Sequence, residues 1–278
     1  PISSNDTPAF GPGFPPPTNL IHRFRDRIVD KIVQGSVKGS IRELNQLRQN
    51  LGIPAVDKYE DIFTRPDLLL YRTSEPFDYP RKKWPDNILP VGPGLWAPPA
   101  KKPDSLESLP SPKILVSIST EMQDDAAIIE TALQALSDTE GSIIVTTGAL
   151  NPDRFEAPHQ NVHITDFLPH SEVIPDMDLV VTHGGMGTTQ RALAAGVPVC
   201  VIPWGRDQSE TARRVELSGS GTMLPKNKLN ESRLRDAIHE AMNCTQGAKT
   251  IAEAFKATGG AKTAVDAILE MKPKPAFV

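Results

Sequence analysis

From residue 113 onward, short runs of β-branched and other apolar residues alternate with stretches whose apolar positions recur every three or four residues. Ile114–Ile118, Ile143–Val145, Val162–Ile164, Leu179–Val181, Val197–Ile202 and Thr222–Leu224 read as six strands. Between them, Asp124–Leu136, Thr188–Ala195, Ser209–Leu217 and Glu231–Met242 carry helical spacing. Asn230 is placed to cap the last of these, and Asp124 and Asp125 stand where a helix N-terminus favours acids. Strands that are apolar throughout, each followed by a helix, predict a parallel sheet covered on both faces. That is a doubly wound α/β domain.

The pattern before residue 113 is different. The opening PISSNDTPAFGPGFPPP cannot form a helix, because proline removes donors and fixes φ. Asn19–Leu51 is helical, with Ile21, Phe24, Ile28 and Ile32, then Ile41, Leu44 and Leu47, at helical spacing. Gly35 and Gly39 predict a break within it, and Gly52-Ile53-Pro54 ends it. Asp67–Arg72 reads as a short buried strand. Eighteen of the 27 prolines precede residue 113, and residues 92–112 have the composition of an interdomain linker. The expected organisation is a partial α/β domain over 1–91, the linker over 92–112, a ligand-binding α/β domain over 113–260, and a terminal helix and tail over 261–278.

Composition narrows the function mainly by exclusion. Of 278 residues, 38% are hydrophobic and 23% charged, as expected of a globular protein. The net charge of −4 gives no general attraction to nucleic acid or to an anionic membrane. Cys200 and Cys244 form no C-x-x-C pair, and Cys200 sits in an apolar run where a buried free thiol is expected. No apolar run reaches membrane-spanning length and no signal pattern opens the chain, so a cytoplasmic protein is the expectation.

The chemistry concentrates in THGGMGTTQRALAAGVP, residues 182–198. Strand, loop and helix follow one another here, and ligands of doubly wound sheets sit at such strand ends. Gly184, Gly185 and Gly187 allow close backbone approach, and Thr188 and Thr189 add hydroxyls at a helix N-terminus that favours an anion. His183 can offer phosphate a hydrogen bond or a positive charge. The loop is no Walker A motif, since no Lys follows the glycines. It is no dinucleotide fingerprint either, because it follows the fourth strand rather than the first. Asp207 and Gln208 in PWGRDQ follow the next strand and suit the paired hydroxyls of a sugar.

Together, FLPH (167–170), THGGMGTTQRALAAGVP and PWGRDQSETARRVE resemble the nucleotide-sugar signature of family 1 glycosyltransferases, nearest the bacterial natural-product and macrolide-type subgroup. The resemblance runs from Pro112 to the end and, more loosely, from Pro1, with WPDNILPVGPGLW (84–96) resembling the exit into the linker. It implies a B-type glycosyltransferase fold with two α/β domains and no required metal or other cofactor. The substrate it implies is a UDP- or dTDP-linked sugar. By position, Phe167 corresponds to the aromatic that stacks on the base, and Pro169 and His170 to the pair whose backbone reads its edge. His183, Gly185, Gly187, Thr188 and Thr120 correspond to the diphosphate contacts, and Asp207 and Gln208 to the donor-sugar contacts. Two positions depart from plant-type members: Arg191 stands where those have a ribose-binding Glu, and Gly187 where they have Asn.

The implied reaction is inverting transfer of the sugar to a hydroxyl of a small lipophilic acceptor. Its general base is expected in an N-terminal segment that this sequence does not contain, supplied by a longer chain or by a partner chain. His22 is expected to be a helix-surface residue. This chain is therefore expected to bind donor and to be inactive alone. The alternatives are a non-catalytic nucleotide-sugar-binding partner subunit and a nucleotide-sugar epimerase of the same fold. Disorder or altered packing is expected near MKPKPAFV, because the surface that the terminal helix would meet is incomplete.

Overall fold

The structure, a computed structural model, describes residues 4, 6–121 and 123–271. Residues 272–278, nearly all of MKPKPAFV, lie outside these. Two helices open the described chain, α1 (Leu20–Ser36) and α2 (Lys38–Asn50), and the predicted break falls at Val37. Asn19 caps α1 by accepting the His22 N–H, which places His22 in the first turn. A single helical turn, α3 (Asp61–Thr64), leads to β1 (Leu69–Tyr71). Next comes β2 (Ile88–Pro90), parallel to β1 and in register from Leu69 beside Ile88 to Tyr71 beside Pro90. The second of these strands carries too short and proline-flanked a pattern to be predicted; proline is tolerated there because the strand lies at a sheet edge.

The predicted α/β domain follows: β3 (Lys113–Ser117), α4 (Ala126–Ala135), β4 (Ser142–Thr146), β5 (Val162–Thr165), α5 (His170–Val173), β6 (Leu179–Thr182), α6 (Met186–Ala194), β7 (Val199–Val201), α7 (Gln208–Leu217), β8 (Gly221–Met223) and α8 (Glu231–Met242). Helices α9 (Thr245–Ala257) and α10 (Gly260–Glu270) end it. The six strands form one wholly parallel sheet in the order β5-β4-β3-β6-β7-β8. Successive residues along each strand serve opposite faces. Ile114, Val116, Ile143, Val145, Leu179 and Val181 join a core with Ile128, Ile129, Leu234 and Ile238 of α4 and α8. Leu115, Ile144, Val180, Val199 and Val201 join the other core, with Leu193, Val215, Ile251 and Phe255 of α6, α7 and α9. This explains why the strands read as unbroken apolar runs, since neither face meets water.

Asp125 stands at the N-terminus of α4, as expected, and its buried carboxylate accepts the Ser119 N–H at 2.9 Å, tying down the loop after β3. One helix start differs from the expectation. Helix α6 begins at Met186 rather than Thr188, so Gly187 and Thr188 belong to its first turn.

The N-terminal part is fixed to the sheet domain through α7. The buried Glu210 carboxylate accepts the Gly11 N–H at 2.9 Å, the Gly13 N–H at 3.0 Å and the Tyr79 hydroxyl at 3.1 Å. Gly13 has φ +67, and a Cβ there would lie 2.4 Å from the Ser209 carbonyl oxygen, so a side chain is excluded. Arg214 meets Asp78 at 3.1 Å, both buried. The apolar stripe of α1, by contrast, faces outward: Leu20, Ile21, Phe24, Ile28 and Ile32 are all exposed.

Candidate functional site

The chain reverses its course across the sheet between β3 and β6, which lie side by side while β4 and β7 continue in opposite directions. A crevice opens beyond the strand ends at such a point. Because every strand is parallel, the loops after β3, β4, β5, β6 and β7 all emerge at this one edge. Thr120, Phe167–His170, His183–Thr188 and Asp207–Gln208 are thereby gathered from over 80 residues of sequence.

They form two adjoining parts. The first is a cavity of about 380 Å³ whose lining includes Thr120, Phe167, Pro169 and His170. Phe167 is 72% exposed there, although a phenyl ring ordinarily favours burial. His170 opens α5, with Pro169 as its cap residue. Its Nε2 is 3.4 Å from the Thr146 Oγ1. Burial, followed by the charge of Arg191, pulls the His170 pKa down to about 4, so the ring is neutral at physiological pH.

The same cavity is lined by residues that sequence reasoning did not assign to the site: Trp96, Thr146, Gly148, Asp166 and Arg191 among them. Trp96 is 84% exposed. The linker is carried there by Arg191, whose Nη1 donates to the Leu95 carbonyl at 3.2 Å. A lone tryptophan in a proline-rich stretch was the one available signal. The contact that places it spans 96 residues and leaves no local pattern.

The second part is the glycine loop. His183 is buried, and burial shifts its pKa down, with Arg206 acting in the same direction and Asp125 against it. Of the two roles open to this histidine, neutral hydrogen-bonding group and cation, the first fits. Gly184 has φ +93, and a Cβ on it would strike Val201. A Cβ on Gly185 would come within 2.7 Å of the His183 Nε2, so Gly185 makes room for that ring. At Gly187 a Cβ would meet nothing within 4 Å among the described residues beyond its chain neighbours and its own helix backbone. Among the described residues no side chain caps α6, so its first N–H groups have no side-chain partner there. Thr188 is half-buried in that first turn.

Asp207 is exposed at the start of α7, whereas Gln208 is buried. The Gln208 Oε1 accepts the N–H groups of Trp204 and Gly205 at 2.8 and 2.9 Å, and its Nε2 donates to the Gln123 Oε1 at 2.9 Å. The second amide hydrogen has no partner among the described residues. Asp207, Gln208 and the glycine loop lie beside the cavity and not in its wall. Among the described residues, no group of three or more His, Cys, Asp or Glu side chains is placed to hold a metal ion.

The six-stranded parallel sheet with its glycine loop matches the C-terminal domains of solved B-type glycosyltransferases. The solved structure of the glycotransferase of kitacinnamycin matches it with a TM-score of 0.71 at 22% identity, over 91% of this chain and 67% of that one. The glycosyltransferase VinC, solved in complex with dTDP, matches with a TM-score of 0.61 at 22% identity, over 73% of this chain and 51% of that one. Residues 130–271, just over half of the chain, match the family model for the erythromycin biosynthesis protein CIII-like C-terminal domain, and the chain belongs to that family. It is 33% identical over 250 residues to 4'-demethylrebeccamycin synthase of Lentzea aerocolonigenes. The matched region is 87% of this chain, and the chain spans 59% of that relative's length.

Proposed function

We propose that this chain holds the nucleoside diphosphate of an activated sugar and serves sugar transfer to a hydroxyl group. The nucleoside occupies the cavity, its base against Phe167 and its edge read by the backbone at Pro169 and His170. A pyrimidine suits a site that uses neutral groups and backbone polarity. The relative solved with dTDP supports this, and UDP fits equally. The diphosphate lies across the glycine loop, on the free N–H groups of α6, Gly185, Gly187, Thr188, His183 and the Thr120 hydroxyl, with no metal required. Asp207 and the remaining amide hydrogen of Gln208 face the sugar.

The observation that carries this reading is the open, uncapped first turn of α6 beside a buried neutral His183, at the switch point of the sheet. Preorganised donors of this kind stabilise the charge that gathers on the departing diphosphate. In the inverting reaction, the acceptor oxygen bonds to the anomeric carbon as the bond from that carbon to the diphosphate oxygen breaks. The acceptor proton goes to a base. That base, and the acceptor pocket, belong in this proposal to an N-terminal half contributed by a longer chain or a partner. Residues 1–91 form the near edge of that half, and 113–260 the donor domain. The exposed stripe of α1 supports this: apolar side chains of that size gain about 1.5–3 kcal/mol each when covered. Among the described residues, no helix is long and apolar enough to cross a membrane. Action in the cytoplasm accords with that.

The test separates the two parts of the site. Phe167→Ala should weaken nucleoside and nucleoside diphosphate binding by the same factor. His183→Ala should weaken only the diphosphate, by about tenfold, the loss of one hydrogen bond to a charged group. Equal losses for both ligands in both variants would reject this assignment.

A further inference from the structure

Two loops meet beside the glycine loop, one following β3 and the other following β7. Their backbones are joined from below by a chain of short hydrogen bonds. The Gln208 amide donates to Gln123 at 2.9 Å, Gln123 donates to the Ser119 Oγ at 2.6 Å, and the Ser119 N–H is held by Asp125 at 2.9 Å. Above this fixed base, Arg206 reaches across to Glu121, Nη2 to Oε2 at 2.5 Å. Both side chains are more than half exposed, at 58% and 65%. Arg206 also has φ +52, a left-handed backbone conformation unusual for a residue with a Cβ. Such backbone outliers collect where the direction of a side chain matters to function.

Resting on the reading of the glycine loop as a diphosphate site, we propose that Arg206 is a further, exchangeable ligand of that diphosphate. Glu121 holds the guanidinium across the mouth until the ligand displaces it. The magnitudes favour the exchange. An exposed carboxylate–guanidinium pair is worth no more than about fivefold in an equilibrium constant. A charge-assisted hydrogen bond to a phosphate carrying more than one negative charge, in a less exposed site, is worth about tenfold or more. Arg206 stands close to the glycine loop, since two residues on, the Gln208 Cβ lies 3.3 Å from where a Cβ on Gly184 would be. It is also the part of this edge that can move alone, because the loop beneath it is pinned through Gln208. In sugar transfer, a guanidinium that arrives with the ligand and follows the growing charge on the leaving diphosphate favours departure over retention of the intact donor.

The test is calorimetric titration of the chain with UDP or dTDP and with the matching nucleoside. Arg206→Ala should weaken the diphosphate about tenfold and leave the nucleoside unchanged, while Arg206→Lys retains most of the affinity. Glu121→Gln should tighten the diphosphate about threefold when Arg206 is present and have no effect in the Arg206→Ala background. Wild-type diphosphate affinity in Arg206→Ala, or weaker binding in Glu121→Gln, overturns the proposal. If His183→Ala weakens the diphosphate and Arg206→Ala does not, the exchange alone is wrong and the diphosphate site stands. If the wild-type chain binds nucleoside but no diphosphate, both fall.

Discussion

The six-stranded sheet and the helices before it meet the same packing requirement with opposite outcomes. In the sheet domain, alternate residues of β3, β4 and β6 feed two separate cores, each covered by helices. In the N-terminal part, α1 has an equally regular apolar spacing and leaves it in solvent, with Phe24 64% exposed. The periodicity of a sequence thus states which face of a helix seeks cover. It does not state what covers it. The two regions are joined by polar contacts at α7, through Glu210 and Arg214, by Gln190 of α6, which donates to the Arg72 carbonyl at 2.9 Å, and by Phe77 packed on Phe255.

The largest test of this contrast is at that junction. Arg214→Ala would strip the buried Asp78 carboxylate of the guanidinium it meets at 3.1 Å, at a cost of about 3–5 kcal/mol, read by denaturant unfolding. A loss below about 1 kcal/mol would show that the junction contributes little to holding the two regions together.

The next effect is a pH dependence confined to the sheet domain. The His170 pKa in the folded chain is about 4, against the ordinary 6.5, so between those values the unfolded chain binds the extra proton. Stability is full above about pH 6.5 and falls as the pH drops towards 4, by on the order of 3 kcal/mol from this residue. His183, shifted in the same direction, adds to the slope. Replacing His170 by Gln should flatten the unfolding free energy against pH across that window, and an unchanged slope would contradict the burial of a neutral ring.

The smallest effect is on α1. Phe24→Ala should alter the stability of this chain by no more than about 0.5 kcal/mol, as for an ordinary surface position. Leu234→Ala, which empties a fully buried site on α8, should cost about 2–5 kcal/mol. A comparable loss at both positions would mean that α1 is covered after all.

How much of this was legible follows from the same contrast. Strands buried on both faces declare themselves as apolar runs, so the parallel sheet and its helices could be read directly. The glycine loop was legible because Gly184, Gly185 and Gly187 have no reason to crowd together in an ordinary turn. What escaped was set by tertiary contacts. Strand β2 exists because Ile88–Pro90 finds β1, not because its three residues carry a pattern. Trp96 lines the cavity because Arg191 holds the linker at Leu95. Asp125 stands at the start of α4 as expected, but its carboxylate also binds Ser119, a partner that neither residue's spacing from α4 could reveal. Gln208 was assigned to the sugar from its type and position. Its burial and its hydrogen bonds to the loop at Trp204 and Gly205 add a scaffold role that residue type alone does not display.

The most direct measurement is calorimetric titration of the chain with UDP and dTDP, with ADP as control. Saturable binding of at least one pyrimidine diphosphate at a single site is expected, with ADP much weaker. The absence of binding by either pyrimidine diphosphate, in a sample that still unfolds cooperatively, would contradict the claim that this domain carries a donor site of its own.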